Sequence, residues 1–542
     1  MNRFGKTFTC AAMAAAICVL PACSPAKAPE QAKGATPQRN IVFVLLDDLR
    51  FDAMGFLTPG LETPNIDHLA AHGVYFPNAV VTTSLCSPSR ATILTGQSTA
   101  NHRVVDNNNS SEEGLVFFPK YLQEAGYQTG FFGKWHMGNA TDAPRPGFDR
   151  WVSFKGQGTY FPTDALTPAQ IAAGQVQMLN VDGKETKRTG YMTDELTDYA
   201  LDWLQHGREP SKPFFLYLSH KAVHSDPLPP EKYKQQYKDL DIRLPASMAN
   251  TEANNRGKPM WVRNQRNSWH GVDFPYHSDQ DLREYVRQYY RTLSPVDDSV
   301  GRILAYLHEA GLEQNTLIVF YSDNGFLFGD HGLIDKRNAY EPSVRVPLVM
   351  YAPGLLPEGV TNPTRVRNLD MAPTFLDVAH VAQPKQFEGR SFLDAATGAV
   401  TPEAWKAPDF IYSYYWEWTF PHTPTTFAIE SGTTKYIQYH GVWDIEELYD
   451  LSKDPDELNN LIDDPAWLET KIDLRNRLYA GLTNTKGENV VPYSKRTAEG
   501  IVWRSEQGAR AADFPSKWLK APNRPDKLNG AFPQLPAKRD ND

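Results

Sequence analysis

The segment Ile41–Leu46 is an unbroken apolar, β-rich run that stops on two carboxylates, Asp47-Asp48. A strand with one wet face alternates apolar and polar residues. A continuous run demands cover on both faces, as in a parallel sheet between helical layers. Four further runs repeat the pattern: Thr129–Phe132, Phe214–Leu218, Thr316–Tyr321 and Val346–Tyr351. Helical periodicity lies between them, over Phe118–Ala125, Leu196–Gln205 and Val296–Ala310. The alternation predicts an α/β fold with a large, mostly parallel β-sheet flanked by helices.

Near residues 402–408 the texture changes. Aromatic, alternating segments follow at Ile411–Trp418, Thr425–Glu430 and Tyr436–Tyr439, with a helix expected from about Ala466 to Leu482. This predicts a smaller C-terminal α+β domain with antiparallel sheet over 401–495, after a catalytic domain over 39–400. Residues 496–542, rich in Pro and Lys, are expected to lie across the surface. A chain of 542 residues is too long for one ordinary core, which agrees with two domains.

In open α/β sheets, ligands bind at the carboxyl ends of strands. Polar residues stand at those ends here. Asp47 and Asp48 follow the first run, and Asp323 and Asn324 follow Thr316–Tyr321. Three carboxylates and an amide oxygen suit a hard cation, Ca²⁺ or Mg²⁺, rather than zinc. Lys134 and His136 follow the run through Phe132. Strand alternation turns them to one side and Trp135 to the other. His220 and His224 follow Phe214–Leu218, and Lys336 lies shortly after Asp323-Asn324. Cys86 precedes a helical pattern over Ser87–Thr95, and a helix N-terminus favours negative charge. Arg90 is one turn in, where its fork can orient the nucleophile.

The run Cys86-Ser-Pro-Ser-Arg90-Ala-Thr-Ile-Leu-Thr-Gly96 resembles the signature that sulfatases convert to formylglycine. Gly133-Lys134-Trp135-His136-Met137-Gly138 and Glu447-Leu-Tyr-Asp-Leu-Ser-Lys-Asp-Pro-Asp-Glu-Leu458 resemble further motifs of that family. The chain is identified as a member of the formylglycine-dependent sulfatases of the alkaline phosphatase superfamily, over about Asn40 to Leu461. The resemblance implies an aldehyde nucleophile made from Cys86 by a maturation enzyme, a bound Ca²⁺ and sulfate ester hydrolysis. It implies sulfate contacts from Lys134, His136 and Lys336, and His224 near the leaving oxygen. Val223 stands where the family often has a proline. His220 is expected to be structural or to touch substrate, and His331, Arg337 and Glu341 to lie on the same rim. Two rivals are a phosphoester or phosphonate monoester hydrolase of the same superfamily and a catalytically silent glycan-binding surface lipoprotein.

Arg3 and Lys6 precede an Ala-rich apolar stretch ending at Leu20-Pro21-Ala22-Cys23. Residues 1–22 read as a signal peptide, too short for a membrane span. Leu20–Cys23 also resembles a lipobox, with lipid on Cys23 and a tether over 23–38; an ordinary secretory signal is the alternative. The expected location is outside the cytoplasm, in the periplasm or on the cell surface, with a membrane anchor. Of the 4 cysteines, Cys10 and Cys18 would leave with the signal and Cys23 would carry lipid. Cys86 is then left without a disulfide partner. The net charge of −9 argues against nucleic acid. Trp261, Trp269, His270 and Tyr276, in an apparent insertion over 227–287 between helix and strand, are candidate sugar-stacking groups. Tyr415, Trp416, Trp418 and His422 would form the opposite wall. Sugar stacking and export together point to a sulfated polysaccharide or oligosaccharide as substrate.

Overall fold

The computed structural model describes residues 38–111, 114–138, 141–265, 281–417, 420, 422–440 and 445–483. The signal, Cys23, its tether up to residue 37, Trp269, His270, Tyr276, Trp418 and the C-terminal tail lie outside the described residues.

Asn40–Leu46 is the central strand, and every residue in it is buried. It pairs in parallel with Thr316–Ser322 on one side and Phe214–Ser219 on the other. Gln128–Lys134 and then Arg150–Phe154 extend the parallel block. Alternate residues of the central strand serve opposite cores. Val42, Val44 and Leu46 join the helices Pro64–Ala71, Met192–Asp202 and Leu282–Glu309. Ile41, Phe43 and Leu45 join Cys86–Thr95, Pro119–Glu124 and Met371–Val378. Burying one such side chain contributes about 1.5–3 kcal/mol, which is why the run contains no polar interruption.

Three expectations need correction. Val346–Tyr351 was expected in the parallel set, but its strand, Leu348–Tyr351, runs antiparallel to Thr316–Ser322. Short strands continue that edge, and the antiparallel strands Met178–Val181 and Lys184–Lys187 close the other. Second, the helix expected from Val296 spans Leu282–Glu309, with Pro295 inside it. Proline removes one helical bond and usually ends a helix. Here the buried stripe Tyr285, Tyr289, Val296, Val300 and Ile303 continues on both sides of Pro295, so packing outweighs the local defect. Third, 227–287 follows the strand Phe214–Ser219 and runs into this long helix. It is therefore a strand-to-helix connection.

The C-terminal sheet has four antiparallel strands, Phe410–Tyr414, Thr425–Ser431, Thr434–His440 and Glu447–Asp450. The helix Leu468–Thr483 covers one face through Leu474, Leu478 and Leu482. On the other face Tyr412, Tyr414, Ile437 and Tyr449 pack on Leu85, Leu333, Tyr340 and Val344 of the larger sheet's loops. Trp261 belongs to this core, edge-on to Tyr439 with centroids 5.7 Å apart, rather than to an open wall. Tyr415 is likewise buried.

Candidate active site

The ends of three strands converge: Asn40–Leu46, its neighbour Thr316–Ser322, and Gln128–Lys134 beyond the intervening Phe214–Ser219. Leu46 leads into Asp47 and Asp48, Ser322 into Asp323 and Asn324, and Gln128–Lys134 ends on the lysine itself. Cys86 begins the helix Cys86–Thr95, all of whose residues are buried. Pro88 falls in its first turn, where a missing N–H breaks no helical bond. Ligand atoms of Asp47, Asp48, Cys86 and Asp323 lie within 4.8 Å of one another. Cys86 Sγ is 3.2 Å from Asp47 Oδ1 and 3.3 Å from Lys336 Nζ.

Three buried carboxylates this close repel one another unless neutralised. Three cations surround them. Arg90 donates from Nε to Asp323 Oδ2 at 2.8 Å. Its Nη1 donates to the Lys134 carbonyl at 2.8 Å and the Ser219 hydroxyl at 2.6 Å. Arg90 thus braces Asp323 and the strand ends rather than forking onto Cys86. Lys134 Nζ bonds Asp47 and Gln157. Lys336 Nζ donates to Asp48 Oδ2 at 2.6 Å.

Charge follows from these neighbours. Burial pushes Asp47 up, but Lys134, helped by His224, Arg90 and Lys336, holds it well below the ordinary carboxylate range. Burial and the adjacent Asp47 raise Asp323 to about 7 against the pull of Arg90. Burial and Asp47 also push the Cys86 thiol up, so it is a poor thiolate as it stands. Burial alone would depress Lys336, but Asp48 outweighs it and the ammonium is held.

Two histidines complete the cluster. Trp135 points into an aromatic group with Phe117, Phe131 and Trp151. His136 is buried, with its Nδ1 unpartnered and its carbonyl accepting from the Ser87 hydroxyl. Burial and Lys134 depress it well below the usual histidine value. The backbone here is tightly set. Gly133 has φ of +126°, and a Cβ on it would stand 1.8 Å from the Ser219 carbonyl oxygen, so only glycine fits. His224 Nδ1 lies 2.6 Å from the Ser225 carbonyl oxygen, which can only accept, so Nδ1 carries the proton. Its Nε2 is left 3.8 Å from Asp48 Oδ2.

The unpartnered buried atoms test whether a cation fits. Asn324 donates from Nδ2 to Asp48 Oδ1 at 2.6 Å, and its Oδ1 has no partner. Carboxylate oxygens from Asp47, Asp48 and Asp323 with an amide from Asn324 form a hard, oxygen-rich donor set that fits a divalent cation such as Ca²⁺ or Mg²⁺.

Five further candidates remain, His220, His331, Trp416, His422 and Arg337. His220 Nε2 is 3.3 Å from Ser299 Oγ on the long helix, and burial pulls its pKa to about 3, so it is a neutral packing group. His331 stacks on Tyr340 with centroids 4.1 Å apart, and its amide donates to Ser247. Trp416 is half-buried, its amide 2.9 Å from Thr425 Oγ1, and His422 is exposed. Both belong to the connection from Tyr414 to Thr425. Arg337 adjoins Lys336, but its guanidinium is held by Asp335 at 2.8 Å and Glu417 at 2.6 Å, over the Phe420 ring.

Sequence reasoning overlooked Gln157, Ser219 and Glu417. Ser219 ends a recognised strand, so the strand-end rule was signal enough. Gln157 follows the strand Arg150–Phe154, which is too short and too mixed to stand out. Glu417 had no local signal.

Comparison with known proteins agrees with this geometry. The sulfatase family model matches residues 39–381, and the C-terminal model of N-sulphoglucosamine sulphohydrolase matches 329–484. The chain is 30% identical over 487 residues to an N-acetylglucosamine-6-O-sulfatase of Bacteroides thetaiotaomicron, covering 79% of this chain and 83% of that one. It is 30% identical over 466 residues to an arylsulfatase of Clostridium perfringens, covering 79% and 91%. A solved structure in complex with its substrate D-glucosamine-2-N,6-O-disulfate matches with TM-score 0.72 at 28% identity, covering 84% of this chain and 100% of that one. The chain belongs to the sulfatase family of the alkaline phosphatase superfamily and is a sulfuric ester hydrolase.

Proposed function

We propose that the enzyme removes sulfate from a sulfated polysaccharide or oligosaccharide, using formylglycine made from Cys86 and a Ca²⁺ ion. The single observation that carries the chemistry is the buried convergence of Cys86 with Asp47, Asp48, Asp323 and Lys336. Support for a sugar comes from the relatives: an N-acetylglucosamine-6-O-sulfatase and a structure holding a disulfated glucosamine.

Asp47, Asp48, Asp323, Asn324 and the oxidised side chain at 86 would hold the cation, which would supply positive charge beside the nucleophile. Formylglycine at position 86, made by the maturation enzyme, would supply a hydrated aldehyde whose hydroxyl is the nucleophile for sulfur. The chain's own groups do the rest. Lys134, Lys336 and His136 stabilise charge on the sulfate oxygens. Arg90 keeps Asp323 and the Lys134 strand end in register. His224 protonates the departing alcohol from Nε2. Burial holds this ring neutral at rest, with Lys134, Lys336 and Lys221 adding to the effect against Asp47. An anionic sulfate among those lysines favours its protonation. The same reading has a maturation enzyme acting on Cys86. It also has the protein exported through residues 1–22 and anchored by lipid on Cys23, supported by the charge and the Leu20–Cys23 pattern.

Parallel assays on an aryl sulfate and the matching aryl phosphate, followed by defined sulfated sugars, test the proposal. The expected result is a higher kcat/KM for sulfate and release of sulfate from at least one sugar. A preference for phosphate of about a thousandfold, roughly 4 kcal/mol in transition-state binding, would overturn the chemistry. Turnover of aryl sulfates alone across a broad sugar panel would overturn the substrate class.

A further inference from the structure

The segment that carries Lys336 is gripped on both sides. On the inner side the Arg337 amide donates to the Ser84 carbonyl at 3.1 Å. The Ser84 hydroxyl donates to the Asn338 carbonyl at 2.9 Å. Ser84 lies two residues before Cys86, so these bonds tie the lysine's loop to the nucleophile's own turn. On the outer side the charged contacts from the C-terminal domain join the Tyr340 ring's contacts with Lys258 and His331. Lys435 Nζ donates to the Ala339 carbonyl at 2.9 Å and to Glu341 Oε1 at 2.5 Å. Glu457 accepts from Lys435 at 2.8 Å and from the Glu341 amide at 2.7 Å. Glu447 accepts from the Tyr340 hydroxyl at 2.8 Å.

This grip is dry and strained. Lys435 is 1% exposed and Glu447 and Glu457 are fully buried, so their bonds are not screened by solvent. Arg337, beside the catalytic lysine, has φ of +68°, a left-handed value that a non-glycine residue keeps only where its surroundings fix it. Loose packing alone needs no such charges. Charged groups aimed at backbone atoms of 339 and 341 set where the chain runs, and so where Lys336 Nζ meets Cys86.

We propose that Lys435 is a positioning residue: with Glu447 and Glu457 it presses the 337–341 loop onto Ser84 and so sets Lys336 against Cys86. Lys435 would then act in catalysis through Lys336 without itself touching substrate. The proposal rests on the catalytic reading of Lys336.

A double-mutant cycle on matured, metal-loaded full-length enzyme tests it, with 4-nitrophenyl sulfate as substrate so that slow variants stay measurable. Lys435→Met is expected to lower kcat by about 100-fold, as a misplacement of roughly 1 Å does, with KM changed by less than about threefold. In a Lys336→Gln background it should cost nothing more. A near-wild-type kcat for Lys435→Met, or losses that multiply in the double variant, would overturn the positioning role while leaving Lys336 catalytic. Full activity of Lys336→Gln would instead overturn the reading beneath it. Where Lys435→Met fails to accumulate as folded protein, Tyr340→Phe takes its place. It should lower kcat by about tenfold with the same lack of additivity, and wild-type kcat there overturns the proposal.

Discussion

Two clusters of buried charge lie on either side of the 336–341 segment, and they are satisfied differently. Around Cys86, acids and bases face one another with atoms left over: Asn324 Oδ1, Arg90 Nη2 and His136 Nδ1 have no hydrogen-bond partner. In the cluster against the C-terminal sheet, both oxygens of Glu447 and of Glu457 are taken. Glu447 accepts from Tyr340, Tyr439 and Tyr449, and Glu457 from Lys435 and the Glu341 amide. Lys258 Nζ completes it, bonded to the Tyr449 hydroxyl at 2.7 Å and the Glu457 carbonyl at 2.6 Å. Unfilled valence marks a place built for a ligand, whereas filled valence marks a place built to hold a shape.

The sharpest break between the two regions comes from Cys86→Ala. Turnover should fall to background while the thermal midpoint stays within about 2–4 °C of wild type, as for a change of roughly 1 kcal/mol. A large loss of stability would assign the site a structural task. Chelation should act similarly. EGTA should abolish sulfatase activity and lower the thermal midpoint, and Ca²⁺ should restore both, since a ligand at 100 times its Kd stabilises by about 2.7 kcal/mol. Activity that survives exhaustive chelation would contradict the cation site. His224→Ala should slow sugar sulfates by about 10²–10⁴-fold and activated aryl sulfates less, because only poor leaving groups need the proton. Equal losses on both would remove its role as acid.

Charge in the second cluster should register as stability. Glu447→Ala leaves Lys258 buried beside three tyrosine hydroxyls without its carboxylate. We expect a loss of about 3–5 kcal/mol in urea unfolding; a loss under 1 kcal/mol would show that cluster to be dispensable. The effect that is smallest at neutral pH concerns neutral support of the nucleophile's helix. His102 Nε2 is 3.0 Å from Thr92 Oγ1, and burial, opposed only by weak backbone bonds, lowers its pKa to about 3. The unfolded chain, with an ordinary value of 6.5, binds more protons between those limits. Stability should therefore fall as pH drops through 6.5 towards 3. His102→Gln should flatten that acid limb in urea midpoints taken at several pH values, and parallel curves would contradict the assignment.

These two regions were not equally legible in the sequence. Asp47, Asp48, Lys134, Asp323 and Asn324 each stand at the end of a strand or directly after it, so a buried run followed by polar residues predicts where they meet. The second cluster has no such rule. Lys258 comes from a loop 189 residues before Glu447, whereas Lys435 and Glu447 lie on neighbouring strands; both lysines look like ordinary surface charges until the C-terminal sheet closes over them, and the motif that Glu447 opens does not say what its carboxylate holds. The same limit explains the rim. His220 and His331 carry the right chemistry, but alternation and loop course turn them onto Ser299 and Tyr340. Pro295 misled because local propensity ends a helix where an apolar stripe, visible only with its packing partners, carries it on.

The most direct test is the mass of the peptide containing Cys86 from active protein matured in its native host. The account predicts the mass of formylglycine there, in proportion to the specific activity of the preparation. An intact cysteine thiol in fully active material would contradict it.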